Sequence, residues 1–303
     1  MTVVSLVLLL IRNLLVLFSF VALSVGAQDR DFSGNVERTA EANGPVEMSL
    51  LVYNTHGLPT IFARDDPNKR FPKIGKLTQQ YELSLLQEDY AHHKKLRNGL
   101  NRRSLVIRAN ERRSFFCLFC YGSGLTIISN LEKEWHLGSQ SGSFDFCSGW
   151  LRGLNDCFAS KGFQLLLIET RLGNRFFVVN THLDAGQRSL DREARVAQLK
   201  QITDRVRQEV SGEALIIAGD LNLNWEDARD RLLLESFRTD LGLIHSGARA
   251  KTETKWPILD YIFYRNGRTT TFEILETGED LSFQNDDGPL SDHPALFMRF
   301  LIH

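Results

Sequence analysis

Short apolar runs, each ending in a polar cluster, are the feature that most constrains the fold of this chain. The run MSLLVYN at 48–54 stops at Thr55-His56-Gly57, and the run SLLQ at 84–87 stops at Glu88. Apolar runs of this length with β-branched and aromatic residues are typical of buried strands. Further runs of this kind lie at 164–168, 176–179, 214–218, 258–264 and 295–302. The pattern predicts buried strands that end in polar side chains.

Helical periodicity appears between these runs. Apolar residues recur at helical spacing from 73 to 84. A second helix is predicted at 189–210, where one face collects Leu190, Ala194, Ala197, Ile202 and Val206. Strands that alternate with helices are typical of layered α/β folds, whose active sites are commonly built at strand ends. We therefore expect an α/β layered domain with its functional residues at one edge.

The N-terminus has the pattern of an export signal. Residues 3–27 are almost entirely apolar and end in Val25-Gly26-Ala27, the small residues that a signal peptidase recognises. We expect 1–27 to be a signal peptide, 28–47 a polar leader and 48–303 a single domain. The protein would then be secreted or periplasmic. An uncleaved N-terminal membrane anchor is the alternative, because the apolar segment is long enough to span a bilayer.

Four cysteines, an even number, fit disulfides formed in an oxidising compartment. They are Cys117, Cys120, Cys147 and Cys157. Three pairings are possible, and the sequence does not choose between them. The spacing of Cys117 and Cys120 also fits a zinc site made of four thiolates, which is the rival interpretation.

Composition indicates a globular protein without a general affinity for nucleic acid. A hydrophobic content of 43% is enough for a sizeable core, and the net charge of -1 gives no overall basic surplus. The local exception is a basic stretch at 92–113, which would attract anionic lipid head groups or a nucleic-acid backbone equally well. The aromatic run at 115–121 that follows fits either a membrane-contacting surface or a buried strand.

The polar residues at the predicted strand ends form a set with a clear chemistry. They are Asn54, Glu88, Asn180, His182, Asp220, Asn222, Asp260, Asp292 and His293. Carboxylate and amide oxygens suit a hard divalent cation such as Mg²⁺, Mn²⁺ or Ca²⁺. Histidines beside such a cation suit proton transfer near neutral pH. Because side chains two apart on a strand point the same way, Asp220 and Asn222 should converge, as should Asn180 and His182.

Six segments in a fixed order carry a family resemblance. They are YNTHGL (53–58), LLQE (85–88), NTHLDA (180–185), GDLNLN (219–224), LDYIF (259–263) and SDHPAL (291–296). From Ser49 to the C-terminus the chain resembles the endonuclease/exonuclease/phosphatase superfamily. The resemblance implies a four-layer α/β sandwich of the deoxyribonuclease-like kind, with two facing sheets flanked by helices. Residues 48–303 would be its catalytic domain, hydrolysing a phosphodiester.

The resemblance also implies which residues bind the metal and the phosphate. Glu88 would be the principal metal ligand, with Asn54 nearby and Asp292 assisting. The expected cofactor is Mg²⁺, with Mn²⁺ or Ca²⁺ as alternatives. Asn180 and Asn222 would contact the substrate phosphate.

Catalytic roles follow from the same resemblance. Asp220 and Asn222 would position the attacking water. His293, oriented by Asp260, would be the general base. His182 would stabilise the phosphoryl charge and help to protonate the leaving oxygen.

Within the superfamily, three segments are most similar to neutral and secreted bacterial sphingomyelinases. They are YNTHGLP (53–59), RFPKIGKL (70–77) and GSGLTIISN (122–130). This similarity implies hydrolysis of sphingomyelin to ceramide and phosphocholine, with a phospholipid membrane surface or a small phosphodiester as partner and no protein partner. An exported deoxyribonuclease-like endonuclease that acts on nucleic acid is one alternative. A non-catalytic binding protein or toxin subunit on the same fold is the other.

Overall fold

The computed structural model describes residues 44–58, 66–109, 122–132, 135–149, 157, 159–251 and 258–303. All of them belong to one compact unit, Glu41–His303. The aromatic run at 115–121, which the sequence assigns either to a membrane-contacting surface or to a buried strand, lies outside the described residues, as do Cys117 and Cys120. No helix within the described ranges is long and apolar enough to cross a bilayer.

Strands dominate the described chain. In order they are β1 (Val46–Asn54), β2 (Leu83–Gln87), β3 (Leu105–Arg108), β4 (Thr126–Ser129), β5 (His136–Ser143), β6 (Gly162–Glu169), β7 (Arg175–His182), β8 (Ala214–Asp220), β9 (Ile244–His245), β10 (Asp260–Arg265), β11 (Phe272–Glu279), β12 (Gln284–Asn285), β13 (Gly288–Pro289) and β14 (Leu296–Ile302). The helices are α1 (Pro67–Leu77), α2 (His93–Asn98), α3 (Ser189–Glu209) and α4 (Ala228–Leu241), with a short 3-10 helix at Thr78–Gln80.

Two six-stranded mixed sheets organise these elements. The first has the order β11-β14-β1-β2-β4-β3 and the second the order β5-β6-β7-β8-β10-β9. Each contains one parallel pair, β1 with β2 and β7 with β8, whose crossover runs through α1 and α3 respectively. Parallel neighbours need such a crossover, because the end of one strand and the start of the next lie at opposite edges of the sheet.

Alternation along the strands builds four layers. On β1, Leu50 and Val52 face an inner core shared with Val178 of β7, whereas Leu51 faces the core under α1. On β7, Val179 faces the opposite way, into the core under α3 and α4. Each sheet therefore buries both faces, one against the other sheet and one against helices. The expected four-layer α/β sandwich is confirmed.

Helix α1 begins at Pro67 rather than at the predicted residue 73. The Asp66 side chain accepts a hydrogen bond from the Asn68 N–H, and proline occupies the start of the helix. Both are helix start signals, within a stretch that the apolar periodicity does not reach. The helix ends at Leu77, so the last part of the predicted 73–84 helix belongs instead to the 3-10 turn and to β2.

Helix α3 has a partly polar buried face. Leu190, expected on the apolar face, is exposed, whereas Arg195 and Gln198 are buried. This face packs on the loop that follows β7: Arg195 Nη1 donates to the Asp184 carbonyl at 2.9 Å, and Gln198 Nε2 donates to Asp184 Oδ1 at 2.8 Å. Apolar periodicity alone therefore misassigns Leu190.

The packing of α1 on α2 depends on two glycines. A Cβ atom on Gly75 would lie 2.2 Å from the carbonyl oxygen of Leu96, and one on Gly99 would lie 2.0 Å from that of Pro72. Because real Cβ atoms do not approach a backbone oxygen so closely, the two helices can lie this near each other only with glycine at both positions.

We predict that Gly75→Ala destabilises the protein, although alanine is the better helix former by about 1 kcal/mol. The added methyl must push α2 away, which we expect to cost about 1–3 kcal/mol in free energy of unfolding. Urea unfolding followed by circular dichroism measures the change. Gly44→Ala is the control, because nothing lies within 4 Å of its Cβ position. A Gly75→Ala protein at least as stable as the parent would contradict the described packing.

Candidate active site

The ends of two parallel strand pairs bring the predicted site residues to one edge of the sandwich. Asn54 ends β1, and Glu88 directly follows β2, its parallel neighbour. On the second sheet, His182 ends β7 in register with Asp220 at the end of β8. Asp260 begins β10 opposite Asp220. Because parallel strands end at the same edge of a sheet, the polar residues of both sheets meet there.

The side-chain amide of Asn54 joins the two sheets at this edge. Its Nδ2 donates to Glu88 Oε1 at 3.2 Å and to Asp220 Oδ2 at 3.0 Å. The His56 backbone N–H donates to Asn54 Oδ1 at 3.0 Å, which fixes the orientation of the amide. The Ser291 hydroxyl donates to the Asn54 carbonyl at 2.7 Å. One carboxylate from each sheet is therefore held by a single donor.

Backbone strain is concentrated at the same place. Glu88 and Asn222 have φ angles of 55° and 50°, in the left-handed region that non-glycine residues seldom adopt. Such conformations cost on the order of 1–3 kcal/mol each and persist where the surroundings hold them. At Glu88 that support includes Gly57, where a Cβ atom would lie 2.1 Å from the Glu88 carbonyl oxygen.

His293 and Asp260 form a tight pair. Nδ1 of His293 lies 2.7 Å from Asp260 Oδ2, and its Nε2 lies 3.8 Å from Asp220 Oδ2. Burial alone would lower the pKa of His293, but the charges of Asp260 and Asp220 outweigh it and raise the pKa to about 10. Without a further cation, the imidazole is protonated at neutral pH and donates from Nδ1 to Asp260.

His182 is in the opposite state. Its side chain is buried, with Nε2 3.4 Å from Asp220 Oδ2 and 3.9 Å from Glu88 Oε1. Burial, followed by the charges of Lys161 and His293, lowers the pKa of His182 well below its usual value, so the ring is neutral. Its Nδ1 has no hydrogen-bond partner among the described residues.

The buried carboxylates fit a divalent cation. Burial is the largest cause that raises the pKa of Glu88, and it raises that of Asp220 to about 6. Glu88 Oε2 is buried and has no hydrogen-bond partner within the described part of the chain. Carboxylate oxygens in this state are ligands that Mg²⁺ and related ions prefer.

A second grouping of possible ligand atoms overlaps with the first. One atom each of Asp220, Asp260 and His293 lie within 4.8 Å of one another. Asp260 and His293 are already hydrogen-bonded to each other, whereas Glu88 Oε2 is unpartnered. The group around Glu88, Asn54 and Asp220 is therefore the better match for a cation.

Two further predicted residues lie at the edge of the cluster. The Asn222 backbone N–H donates to Asp220 Oδ1 at 2.9 Å, and its side-chain amide donates to the Leu183 carbonyl at 2.9 Å. Asp292 lies at the rim, where its Oδ1 is 3.2 Å from Nδ1 of His56 and its side chain is one-third exposed. Asn222 thus lies beside the site residues on the second sheet, and Asp292 beside the loop that carries Asn54.

Asn180 is not brought to the cluster. Its Oδ1 accepts from Gln87 Nε2 at 2.7 Å, and its Nδ2 donates to Gln164 Oε1 at 3.0 Å and to the Leu86 carbonyl at 3.2 Å. The residue is fully buried and connects the two sheets. Although it shares a strand face with His182, it lies deeper in the sandwich, where its amide is occupied by neighbouring protein groups.

Lys161 is a site residue that the sequence motifs do not include. It is 6% exposed, directly precedes β6, and donates from Nζ to the Leu183 carbonyl at 2.8 Å. Its charge acts on Glu88, His182 and Asp220. The available signal was a lysine at the start of a long apolar run, which is also what a solvated strand end looks like.

A disulfide lies near this lysine in the chain. Cys147 and Cys157 are bonded, with their Cα atoms 5.4 Å apart. Of the three possible pairings, this bond is compatible only with Cys117–Cys120 as the second pair, and those two residues are outside the described ranges.

Comparison with known proteins gives three findings. A sphingomyelinase of Mycobacterium bovis is 26% identical over 272 residues, which cover 84% of this chain and 52% of that protein. The chain spans about half the length of the curated relatives it matches. A magnesium-bound mutant of beta toxin from Staphylococcus aureus has the same fold, with a TM-score of 0.62, 17% identity, and coverage of 85% and 99% of the two chains.

TDP2 of D. rerio, complexed with a single-strand DNA product, also shares the fold, with a TM-score of 0.61, 16% identity, and coverage of 84% and 98%. The model of the endonuclease/exonuclease/phosphatase family matches residues 51–293, which contain every candidate site residue from Asn54 to His293. The chain therefore belongs to the endonuclease/exonuclease/phosphatase family.

Proposed function

We propose that this protein is an exported, divalent-metal-dependent phosphodiester hydrolase that converts sphingomyelin to ceramide and phosphocholine. One observation carries the hydrolase assignment: a carboxylate from each sheet, Glu88 and the buried Asp220, shares the Asn54 amide beside the His293–Asp260 pair. The sphingomyelinase relative, at 26% identity, supports the choice of substrate.

The carboxylates of Glu88 and Asp220 would hold the cation, with the Asn54 amide between them. Bound there, a divalent cation supplies positive charge that stabilises the phosphoryl oxygens as negative charge builds on them. Magnesium is the first choice, supported by the magnesium-bound beta toxin of the same fold. Mn²⁺ and Ca²⁺ are the alternatives, since all three prefer oxygen ligands. Asp292, at the rim, would add a further carboxylate.

His293 would act as the general base. Water attacks the phosphorus, its proton passes to Nε2 of His293, and the bond from phosphorus to the ceramide oxygen breaks. Asp260 keeps the Nδ1 proton in place and so presents Nε2 as the accepting atom. Asp220 and Asn222 would orient the water and a phosphate oxygen. This role requires that the pKa of His293 fall from about 10 when a cation is present.

His182 and Lys161 would act on the leaving side. A neutral His182 can donate one hydrogen bond to the departing oxygen and so stabilise the charge that builds on it, while that oxygen takes its proton from solvent. Lys161, buried and charged, would stabilise the negative charge of the phosphoryl group. His182 thus keeps the charge-stabilising part of its expected role, whereas protonation of the leaving oxygen falls to solvent because the ring is neutral.

The alternatives make different predictions. An exported endonuclease is favoured by the basic stretch at 92–113 and by the fold shared with TDP2, which was captured with a DNA product. A non-catalytic binding protein or toxin subunit would not need a paired histidine beside buried carboxylates. Export itself is proposed from the N-terminal signal and is supported by the Cys147–Cys157 disulfide. A membrane-anchored form is the alternative location.

We predict that His293→Ala lowers the rate of phosphocholine release from sphingomyelin vesicles by about 10²- to 10⁴-fold, because the general base is lost. The assay uses Mg²⁺ for both proteins, and excess chelator should abolish the parent activity. His245→Ala is the matched control, since His245 lies on β9, outside the described site contacts. Plasmid nicking by a parent protein that leaves sphingomyelin intact would assign the nuclease function instead.

We also predict that Mg²⁺ lowers the pKa of His293 by more than about one unit, because a cation near Asp220 disfavours the imidazolium. NMR titration of the ring measures it, starting from about 10 in chelator. The raised pKa stabilises the metal-free fold below the unfolded value of 6.5, and this stabilisation is lost as pH rises towards 10. In Glu88→Gln, Mg²⁺ should leave the pKa high. An equal shift of the His293 pKa by Mg²⁺ in both proteins would show that Glu88 does not bind the metal.

A further inference from the structure

The helical layer over the first sheet carries an unusual concentration of exposed positive charge. Residues 66–109 contain ten Lys or Arg and four Asp or Glu, in a chain whose net charge is -1. Two of those acids do not lie on this surface, because Asp89 is fully buried and Glu88 belongs to the candidate site. We name the exposed cations of α1, α2 and the following loop the basic layer: Lys69, Lys73, Lys76, Lys94, Arg97, Arg102 and Arg103.

These cations share one outer surface. Lys69, Lys73 and Lys76 follow each other at helical spacing on α1, opposite the face that buries Phe71 and Ile74. Helix α2, with Lys94 and Arg97 exposed, packs directly on α1 through the glycine contacts described above.

The loop with the remaining two cations is tied to the same place. The Asn101 N–H donates to Gln79 Oε1 at 3.0 Å, and Gln79 Nε2 donates to the Ser104 hydroxyl at 3.4 Å. Arg102 and Arg103 lie between these two contacts and are exposed. The seven exposed charges are therefore carried by three segments that are in contact with one another.

None of the seven forms an ion pair within the described part of the chain, in contrast with the opposite helical layer. On α3, Lys200 pairs with Asp204 at 2.5 Å and Arg205 with Glu209 at 2.8 Å. Charges near a helix C-terminus offset the helix dipole, which accounts for Lys76 and Arg97. It does not account for the other five. The basic layer therefore keeps cations that repel one another, and no ion pair with a described residue offsets that repulsion.

The basic layer is rigidly connected to the candidate site. Arg70, on the buried face of α1, donates to the Thr55 carbonyl at 2.5 Å and to the His56 carbonyl at 2.9 Å. The Ala91 N–H, at the start of α2, donates to the Gly57 carbonyl at 3.2 Å. The loops that follow Asn54 and Glu88 are thus fastened to the two helices, so whatever holds the helices also orients the site.

We propose that the basic layer docks the protein on an anionic phospholipid surface. Long lysine and arginine side chains spread over two helices suit a planar array of negative head groups. Leu105, 49% exposed and two residues from Arg103, adds an apolar contact. Phe71 and Tyr81 are buried and Tyr90 is partly covered, so the layer presents no row of rings on which nucleic-acid bases would stack. The proposal rests on the lipid substrate proposed above.

Vesicle sedimentation in chelator tests the proposal without turnover. The full chain is compared with Lys69→Glu/Lys73→Glu/Lys94→Glu, whose three sites avoid the last turn of each helix. The matched control is Lys200→Glu/Arg207→Glu/Arg229→Glu, with the same charge change on the opposite layer. Vesicles are phosphatidylcholine alone or mixed with phosphatidylserine, and thermal melting confirms that each variant is folded.

We expect the parent and the control to bind phosphatidylserine vesicles, with binding that weakens as salt rises, and the basic-layer variant to bind at least about tenfold more weakly. Equal binding by the two variants would overturn the proposal, as would failure of the parent to bind. Tighter binding of the parent to a DNA duplex than to these vesicles, lost in the basic-layer variant, would overturn it in favour of nucleic acid.

Failure of the docking surface and failure of the proposed function are distinguishable. Sphingomyelin in neutral detergent micelles needs no docking, so all three proteins should hydrolyse it equally with Mg²⁺. Salt-sensitive vesicle binding without micelle hydrolysis would support the docking surface and contradict sphingomyelin as the substrate. Hydrolysis of micelles, together with unchanged vesicle binding by the basic-layer variant, would support sphingomyelin as the substrate and contradict the docking surface.

Discussion

The hydrogen bonds of the Asn54 amide are the interaction on which the candidate site depends. One side chain donates to a carboxylate from each sheet, and its own orientation is fixed by the His56 N–H. Because the two carboxylates come from different sheets, the distance between them is set by how the sheets pack. The buried inner core thereby determines the geometry of a polar site at its edge.

The pKa shifts at this edge arise because carboxylates are desolvated there with too few positive charges to neutralise them. The carboxylates of Glu88 and Asp220 have raised pKa values because they are desolvated, and His293 has a raised pKa because the charges of Asp260 and Asp220 outweigh its burial. His182, beside the same carboxylates, is neutral because burial and the charge of Lys161 outweigh them. The cluster is thus poised to accept a further positive charge, as expected of a metal-dependent phosphodiesterase.

The sequence predicts which residues lie at the edge of the sandwich better than it predicts which polar residues are buried between the sheets. Strand periodicity was sufficient for an α/β layered fold with polar residues gathered at strand ends, because strand ends are marked by a switch from apolar to polar residues. The four-layer sandwich was implied by the family resemblance. Asn180 shares a strand face with His182, but periodicity does not tell how far each lies from solvent. Its amide is occupied between the sheets. Lys161 was not predicted, because a lysine before an apolar run matches no functional motif.

Locating the ion tests the central claim most directly. A crystal soaked in Mn²⁺, with data collected at the manganese edge, reports the metal position from anomalous scattering, independently of substrate and rate. We predict one strong peak in contact with the Glu88 carboxylate, close to Asp220 and Asn54. A peak elsewhere on the chain, or a Glu88 carboxylate with no metal beside it at saturating Mn²⁺, would contradict it.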